Sequence, residues 1–435
     1  MRDGLPVIGA DSSATPCALP GSPLALAESG IDACVHCGFC LPACPTYLAL
    51  EDENDSPRGR IVLMRGLLDG DVALTDPVVQ QHMDRCLGCR ACETACPSGV
   101  PYGQLLEATR ATLRTVTATP FIARVILRVF AVEPLLRLAL FGGRIARAVG
   151  LPSMLARLPG RIGAGMAMLA STRPVIESPA YVPRATNTEG AVTLLRGCVM
   201  EGLQTHTNQA TVRTLTVNGY RVVETAAQRC CGALHAHAGD LETARALAKA
   251  NIAAFEATPD AQIAVNSAGC GAMLKEYAHL LHDDAEWRDR AAAVSARTRD
   301  ATELLAAVGP KPASLPAALR VTYDAPCHLQ HAQRITSPPL TVLAAIGNLT
   351  RIPLEDSDQC CGSAGIYNLI EPDVSDAVLA PKLRNIAQTR ATIVVTGNPG
   401  CLMQLGAGLL RSGASTRVVH PIDLLDAAYA ADAQR

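Results

Sequence analysis

Eight cysteines in the first hundred residues stand in two runs of one pattern: Cys34, Cys37, Cys40 and Cys44 before Pro45, then Cys86, Cys89, Cys92 and Cys96 before Pro97. Both runs read C-x2-C-x2-C-x3-C-P. That spacing wraps three thiolates around one iron–sulfur cluster and sends the fourth, before proline, across to its neighbour. Zinc also gathers thiolates, but its sites usually come as paired C-x2-C knuckles closed by four ligands. Three close thiolates, a fourth before proline and a duplication favour two [4Fe-4S] clusters. The crossed pattern gives one cluster Cys34, Cys37, Cys40 and Cys96, and the other Cys86, Cys89, Cys92 and Cys44. With every thiolate engaged, no iron keeps an open position. One-electron transfer is the expected chemistry, and no catalytic residue is assigned.

A second constellation fills the later half. Cys198, the pair Cys230 and Cys231, and Cys270 recur as Cys327, the pair Cys360 and Cys361, and Cys401, at offsets of 129, 130 and 131 positions. Kept register of this kind marks an internal repeat. Each repeat alternates short β-branched runs with helical stretches, the pattern of a parallel sheet with crossover helices. Every cysteine site falls just after an expected strand, where such sheets collect ligands. The four cysteines of each repeat are therefore possible ligands of one further cluster per repeat, with buried inert thiols as the plainer alternative. Gly197, Gly232, Gly269, Gly271, Gly362 and Gly400 fit loops passing close to a ligand. His235, His237, His328 and His331 flank these loops as potential ligands or proton shuttles, although a hydrogen-bonded loop histidine is the commoner case.

These sites must be positioned by a chain of 435 residues, long enough for two to four domains, with 49% apolar residues for their cores but only 3% aromatics. The expected class is α+β overall: a mainly helical two-cluster module, then two repeated α/β parallel-sheet Cys-Cys-Gly domains. The expected limits are a flexible tail over 1–28, the two-cluster module over 29–115, a helical connector and linker over 116–190, and repeats over 191–305 and 318–430. Ser56-Pro57-Arg58-Gly59-Arg60-Ile61 reads as a loop feeding a helix, and Asp76-Pro77 starts another. Seven arginines (Arg124, Arg128, Arg137, Arg144, Arg147, Arg157 and Arg161) stand among apolar residues against one acid, Glu133. The bland reading of this basic amphipathic stretch is a connector or partner surface, placed ahead of direct membrane contact.

A net charge of −2 leaves no footprint for nucleic acid. The first thirty residues show no basic segment followed by an apolar core, and no uncharged run reaches bilayer length. The seventeen cysteines are therefore expected reduced, in a cytoplasmic protein that can sit peripherally at the inner face of the membrane. No G-x-G-x-x-G follows a strand, so no flavin or nicotinamide site is expected on this chain.

The two runs have the spacing of bacterial two-cluster ferredoxins. Taken with Ser56-Pro-Arg-Gly-Arg-Ile, Arg85 to Gly103 and the two Cys-Cys-Gly repeats, they resemble the iron–sulfur subunit of glycolate oxidase. Lactate-utilisation, anaerobic glycerol-3-phosphate dehydrogenase and heterodisulfide reductase subunits are related in order. The resemblance implies FAD-binding partner subunits that oxidise glycolate to glyoxylate, with this chain passing electrons to a membrane acceptor such as quinone. In heterodisulfide reductase-like domains each repeat ends in C-x-x-C. Here Cys270-Gly-Ala-Met273 and Cys401-Leu-Met-Gln404 lack the last thiolate, which counts against a self-contained thiol or disulfide reductase.

Overall fold

The computed structural model describes residues 17–176, 178–179, 181–183 and 188–434. The N-terminal module is helical because capping residues start its helices where the sequence supplies them. Ser56 Oγ accepts from Gly59 N to open Pro57–Asp69, and Asp76 opens Pro77–Asp84 by accepting from Val78 N. Proline stands in the first turn of both helices, where its missing N–H costs nothing. These helices and Tyr102–Leu113 close over a core of Ile61, Met64, Leu67, Met83 and Leu105.

The expected tail ends earlier than residue 28. Residues 1–16 lie outside the described residues, but Leu24 is fully buried in this core and its N–H donates to Thr112 Oγ1 at 3.0 Å. Burying such a leucine contributes about 1.5–3 kcal/mol, enough to hold a short helix at Pro23–Leu26.

The connector forms helices Phe121–Ala131, Glu133–Ala148, Leu151–Leu155 and Gly160–Ala170. Pro134 and Pro152 start two of them, as the sequence divides the stretch. The following linker is pinned at Tyr181, whose hydroxyl donates to Asp426 Oδ1 at 2.9 Å.

Each repeat builds a four-stranded parallel sheet. In the first, β1 (Ala191–Leu194), β2 (Arg221–Val223), β3 (Gln262–Val265) and β4 (Thr298–Asp300) lie in the order β2-β1-β3-β4. In the second, β5 (Ala313–Tyr323), β6 (Ile346–Ile352), β7 (Ile393–Val395) and β8 (Arg417–Val419) lie in the order β6-β5-β7-β8. The two sheets are copies in topology, yet they are not separate globules. Helix Pro421–Ala433 of the second repeat packs Ile422, Leu425 and Tyr429 into one core with Val192, Leu215 and Tyr220 of the first. Arg213 and the buried Asp426 form an ion pair across that seam at 2.5 Å.

Candidate metal centres

The crossed spacing of the two runs has a direct geometric counterpart. Cys34, Cys37, Cys40 and Cys96 line one cavity, Cys44, Cys86 and Cys89 line a second, and Cys92 lies in the wall common to both. Each run thus sends its fourth cysteine to the other run's cavity. The donor set, four thiols per cavity with few competing polar side chains, fits an iron–sulfur cluster.

The Ser-Pro-Arg-Gly-Arg segment earns its place here. Gly59 sits so close to the preceding turn that a Cβ would lie 2.0 Å from Glu53 O. That packing sends Arg58 to the first cavity, where Nη1 donates to His36 O at 3.3 Å while Nε is held by Glu53 at 2.8 Å. Arg60 turns inward beside Cys44 and Cys86. It is wholly buried with Asp55, donating Nη2 to Asp55 Oδ1 at 3.0 Å and Nε to His82 O at 2.6 Å. Burial pushes the Cys44 thiol up, and the Arg60 charge opposes that shift. Burial also pushes up Cys40 and Cys92. Metal binding must displace these protons, and Arg60 favours the thiolate form. Tyr102 adds a hydroxyl donor to Cys86 Sγ at 3.8 Å.

In the first repeat the four cysteines converge outside the carboxyl ends of β1, β2 and β3. Cys198 starts helix Cys198–Leu203, Cys230 and Cys231 form the loop before Ala233–His237, and Cys270 lies in the first turn of Ala268–Lys275. Cys198 lies beside Cys230, and Cys231 lies beside both Cys230 and Cys270. Mutual interaction of these thiols pushes Cys198 and Cys231 up and pulls Cys230 and Cys270 down. Gly232 takes φ +90° directly after the cysteine pair, and Gly362 takes φ +83° at the same place in the second repeat, a conformation that favours glycine.

The second repeat repeats the convergence with a different lining. Cys361 and Cys401 Sγ atoms lie 3.3 Å apart, and Cys327 lies beside Cys360. Lys382, buried with Asp324, donates Nζ to Asp324 Oδ1 at 2.6 Å, and its charge is felt from Cys361 and Cys401. Thr396 Oγ1 completes the group on Asp324 Oδ2 at 2.8 Å. The first repeat has a neutral arrangement instead: Asn251 Nδ2 donates to Cys230 O at 3.0 Å, and Tyr277 OH to Cys231 O at 2.8 Å. The second centre packs against the second N-terminal run. Leu87, Cys89, Cys327 and Cys360 share one packed cluster.

The four flanking histidines serve the joints between modules. His235 Nε2 meets Leu127 O at 3.0 Å, and His237 Nδ1 meets Glu107 Oε1 at 2.8 Å. His328 Nε2 meets Gly88 O at 3.0 Å, and His331 Nδ1 meets Thr94 Oγ1 at 3.0 Å. One ring nitrogen of each is committed to the N-terminal module or the connector, while His235 Nδ1 and His237 Nε2 are buried without a partner among the described residues. Sequence reasoning missed Lys382, Asp324 and the role of Arg60. The Arg58-Gly59-Arg60 motif carried a signal for the last, and a lone lysine within helix Pro372–Thr389 carried none. Asp52, Asp55 and His82 also lie together, but Asp55 is taken by Arg60 and Arg85.

Among known families, the 4Fe-4S dicluster domain matches residues 30–100 and the Cysteine-rich domain matches residues 192–275 and 321–406. The probable glycolate oxidase iron-sulfur subunit of Bacillus subtilis (strain 168) is 38% identical over 411 residues, 90% of this chain and 92% of that protein. The glycolate oxidase iron-sulfur subunit of Escherichia coli (strain K12) is 35% identical, covering 92% of this chain and 95% of that protein. Lactate utilization protein A of Geobacillus kaustophilus (strain HTA426) is 32% identical over 54% of this chain.

Proposed function

The chain belongs to the family of glycolate oxidase iron-sulfur subunits, electron-transfer components, and we propose that its complex oxidises glycolate to glyoxylate on FAD-bearing partner subunits. The observation that carries the electron-transfer role is the pair of adjoining four-cysteine cavities with the common Cys92 wall. In this reading Cys34, Cys37, Cys40 and Cys96 hold one [4Fe-4S] cluster, and Cys86, Cys89, Cys92 and Cys44 hold the other. Bound, the clusters supply one-electron chemistry, which divides the electron pair of a reduced flavin into single steps. The chain's own residues set the surroundings: Arg58 and Arg60 offset thiolate charge, and the packed shell of Ile61, Met64 and Leu105 excludes water. Cys198, Cys230, Cys231 and Cys270, and Cys327, Cys360, Cys361 and Cys401, are proposed as one further centre per repeat.

The connector helices are proposed to rest on an anionic membrane surface. Phe121, Leu138, Val149 and Met154 are 75%, 68%, 72% and 69% exposed. Six arginines beside them face solvent, and the stretch's single acid, Glu133, is occupied by Arg137 and Arg229. Apolar side chains ringed by arginine suit an interface of lipid and phosphate. No helix among the described residues is long and apolar enough to cross a membrane.

Purification of the native complex tests both readings. Glycolate should reduce the complex, while the isolated chain should show no glycolate turnover. The isolated chain should hold about eight irons if only the two runs are loaded, and about sixteen if both repeats are. Glycolate oxidation by the chain alone would overturn the assignment to partner subunits. Flotation with phosphatidylglycerol vesicles but not with phosphatidylcholine vesicles is expected. Loss of flotation only when flavoprotein is bound would assign the connector face to the partner instead.

A further inference from the structure

The two repeats differ at three buried positions that their register makes equivalent. Leu195 directly follows β1 and Asp324 directly follows β5, and each donates its N–H to the neighbouring strand at 2.9 Å, to Ala264 O and Val395 O respectively. Asn251 stands ten residues after the first residue of helix Leu241–Phe255, and Lys382 ten after that of Pro372–Thr389. Val265 and Thr396 come next after Ala264 and Val395. Leucine, asparagine and valine in the first repeat are therefore aspartate, lysine and threonine in the second, and all six side chains are buried. The helices pack alike on the cysteine loops: a Cβ on Gly232 would lie 3.2 Å from Ala244 O, and one on Gly362 would lie 2.7 Å from Ser375 O.

The three polar residues of the second repeat join into one group. Lys382 Nζ donates to Asp324 Oδ1 at 2.6 Å and to Ser357 O at 3.1 Å, and Thr396 Oγ1 donates to Asp324 Oδ2 at 2.8 Å. The helix face that carries the lysine packs on the cysteine site. Leu379 and Ile386, three positions before Lys382 and four after it, share one apolar cluster with Cys361 and Cys401. In the first repeat the equivalent Asn251 reaches Cys230 O at 3.0 Å. The lysine charge is felt from Cys361 and Cys401, and the aspartate charge reaches both thiols as well. A buried ion pair adds little stability over apolar residues of similar volume, and the first repeat builds the same sheet without one. Folding alone does not call for the exchange.

We propose that the Asp324–Lys382–Thr396 group sets the reduction potential of the four-cysteine centre in the second repeat and makes it unlike that of the first. The proposal rests on the reading above that each repeat holds one further centre. Reduction by one electron adds one negative charge among Cys327, Cys360, Cys361 and Cys401. Where water is excluded, a fixed cation stabilises added negative charge and a fixed anion opposes it. Lys382 acts in the first sense and Asp324 in the second, while Thr396 holds the carboxylate in place. All three act through the cysteines, as positioning residues. Cys327 and Cys360 of this centre pack with Leu87 and Cys89 of the second run, so its potential bears on electron exchange with that run.

The test is a redox titration of the full, cluster-loaded chain, in which dithionite is oxidised and supplies single electrons through mediators while EPR follows each signal. Cys327→Ser identifies the signal of the second repeat, and Cys198→Ser that of the first. In the wild-type chain the two midpoints should differ. Lys382→Met should lower the second midpoint, making reduction at least tenfold less favourable, about 59 mV for one electron. Asp324→Asn should move the same midpoint upward, and Lys382→Arg should leave it near the wild-type value. Asp324→Leu combined with Lys382→Asn and Thr396→Val gives the second repeat the first repeat's side chains with no charge left unpaired, and should bring the second midpoint toward the first. The first midpoint should hold throughout. Where a single variant loses the second signal, the triple variant decides. Equal wild-type midpoints, shifts of one sign in Lys382→Met and Asp324→Asn, a Lys382→Arg shift as large as that of Lys382→Met, or an unmoved midpoint in the triple variant would overturn the proposal. Loss of the second signal in the triple variant would do the same, leaving the group a purely structural role. A chain with about eight irons and no signal lost in either cysteine variant would instead overturn the reading of a centre in each repeat.

Discussion

Arg60→Met probes the buried pair beside the second cavity. Arg60 and Asp55 side chains are both 0% exposed. The guanidinium donates to His82 O at 2.6 Å, Asp55 O at 2.5 Å, Thr46 Oγ1 at 3.1 Å and Asp55 Oδ1 at 3.0 Å. Methionine fills most of the volume but leaves the Asp55 carboxylate in an apolar core. Removing one side of a buried pair costs about 3–5 kcal/mol. Arg85 still reaches Asp55 Oδ2 at 3.1 Å, which places this change at the low end, about 3 kcal/mol. A cluster-bearing protein does not unfold in a simple two-state manner, so the measurement is a rate: bleaching of the iron–sulfur absorbance in the presence of a ferrous chelator. If iron escapes by opening of this core, about 3 kcal/mol accelerates bleaching roughly a hundredfold. Asp55→Asn combined with Arg60→Met removes the stranded charge and should recover part of the loss. Wild-type bleaching in the single variant, or no recovery in the double, would refute the argument.

The crossed cavities predict that Cys44→Ser abolishes the same reduced-state EPR signal as Cys89→Ser, and Cys96→Ser the same one as Cys37→Ser; pairing within runs would contradict the geometry. Cys327→Ser should perturb the signal lost in Cys89→Ser, because Cys89 packs beside Cys327, whereas Cys198→Ser should leave it unchanged. Gly239 takes φ +76° with its Cβ position 2.6 Å from the Arg110 backbone, so Gly239→Ala should destabilise by at least about 1–3 kcal/mol and expose the joint to limited proteolysis; protection equal to wild type would count against it. Burial holds His420 down to about 3, with Nε2 near Asn266 O at 3.0 Å and Nδ1 accepting from Ile422 N at 3.2 Å. The unfolded chain binds this proton first, so its contribution is whole above about pH 6.5 and is lost as pH falls toward 3, up to about 5 kcal/mol. Thermal unfolding between pH 7 and 4 should be less acid-sensitive in His420→Gln, and an identical pH slope would reject the assignment.

What the sequence revealed follows from how local each signal is. The paired runs were legible because their spacing is itself the ligand pattern, and the crossing of Cys44 and Cys96 follows from it. The repeat was legible because its cysteines keep register over long separations. Strands β4 and β8 were not foreseen: Thr298–Asp300 and Arg417–Val419 are three residues long, include charge, and lie at sheet edges, so no apolar run marks them. The packing of Leu24 depends on Thr112, 88 positions away, which a Pro- and Ala-rich composition cannot disclose. The histidines were seen as loop residues near cysteines, but their partners Leu127, Glu107, Gly88 and Thr94 belong to other modules. Lys382 carries no local mark because its meaning depends on Asp324 in another strand–loop unit.

Duplication alone would make the two repeat centres equivalent, and the N-terminal module is what distinguishes them. Its second cysteine loop packs Leu87 and Cys89 against Cys327 and Cys360, while it meets the first repeat through ion pairs and backbone contacts. Arg90 bridges Glu93 and Glu276, Glu107 holds His237, and Arg110 and Arg114 hold the carbonyls of His237 and Ala238. The first centre's opening helix, Cys198–Leu203, packs instead on the connector: Arg147 Nη1 donates to Leu203 O at 2.7 Å, and Gly202 makes room for Leu140. The linings differ to match. The buried Lys382–Asp324 pair lies near the thiols of the second centre, and neutral Asn251 and Tyr277 hold the backbone of the first. The second repeat's cysteines thus lie against the two-run module and the first repeat's beside the arginine-rich connector, which gives the two four-cysteine sites unlike surroundings.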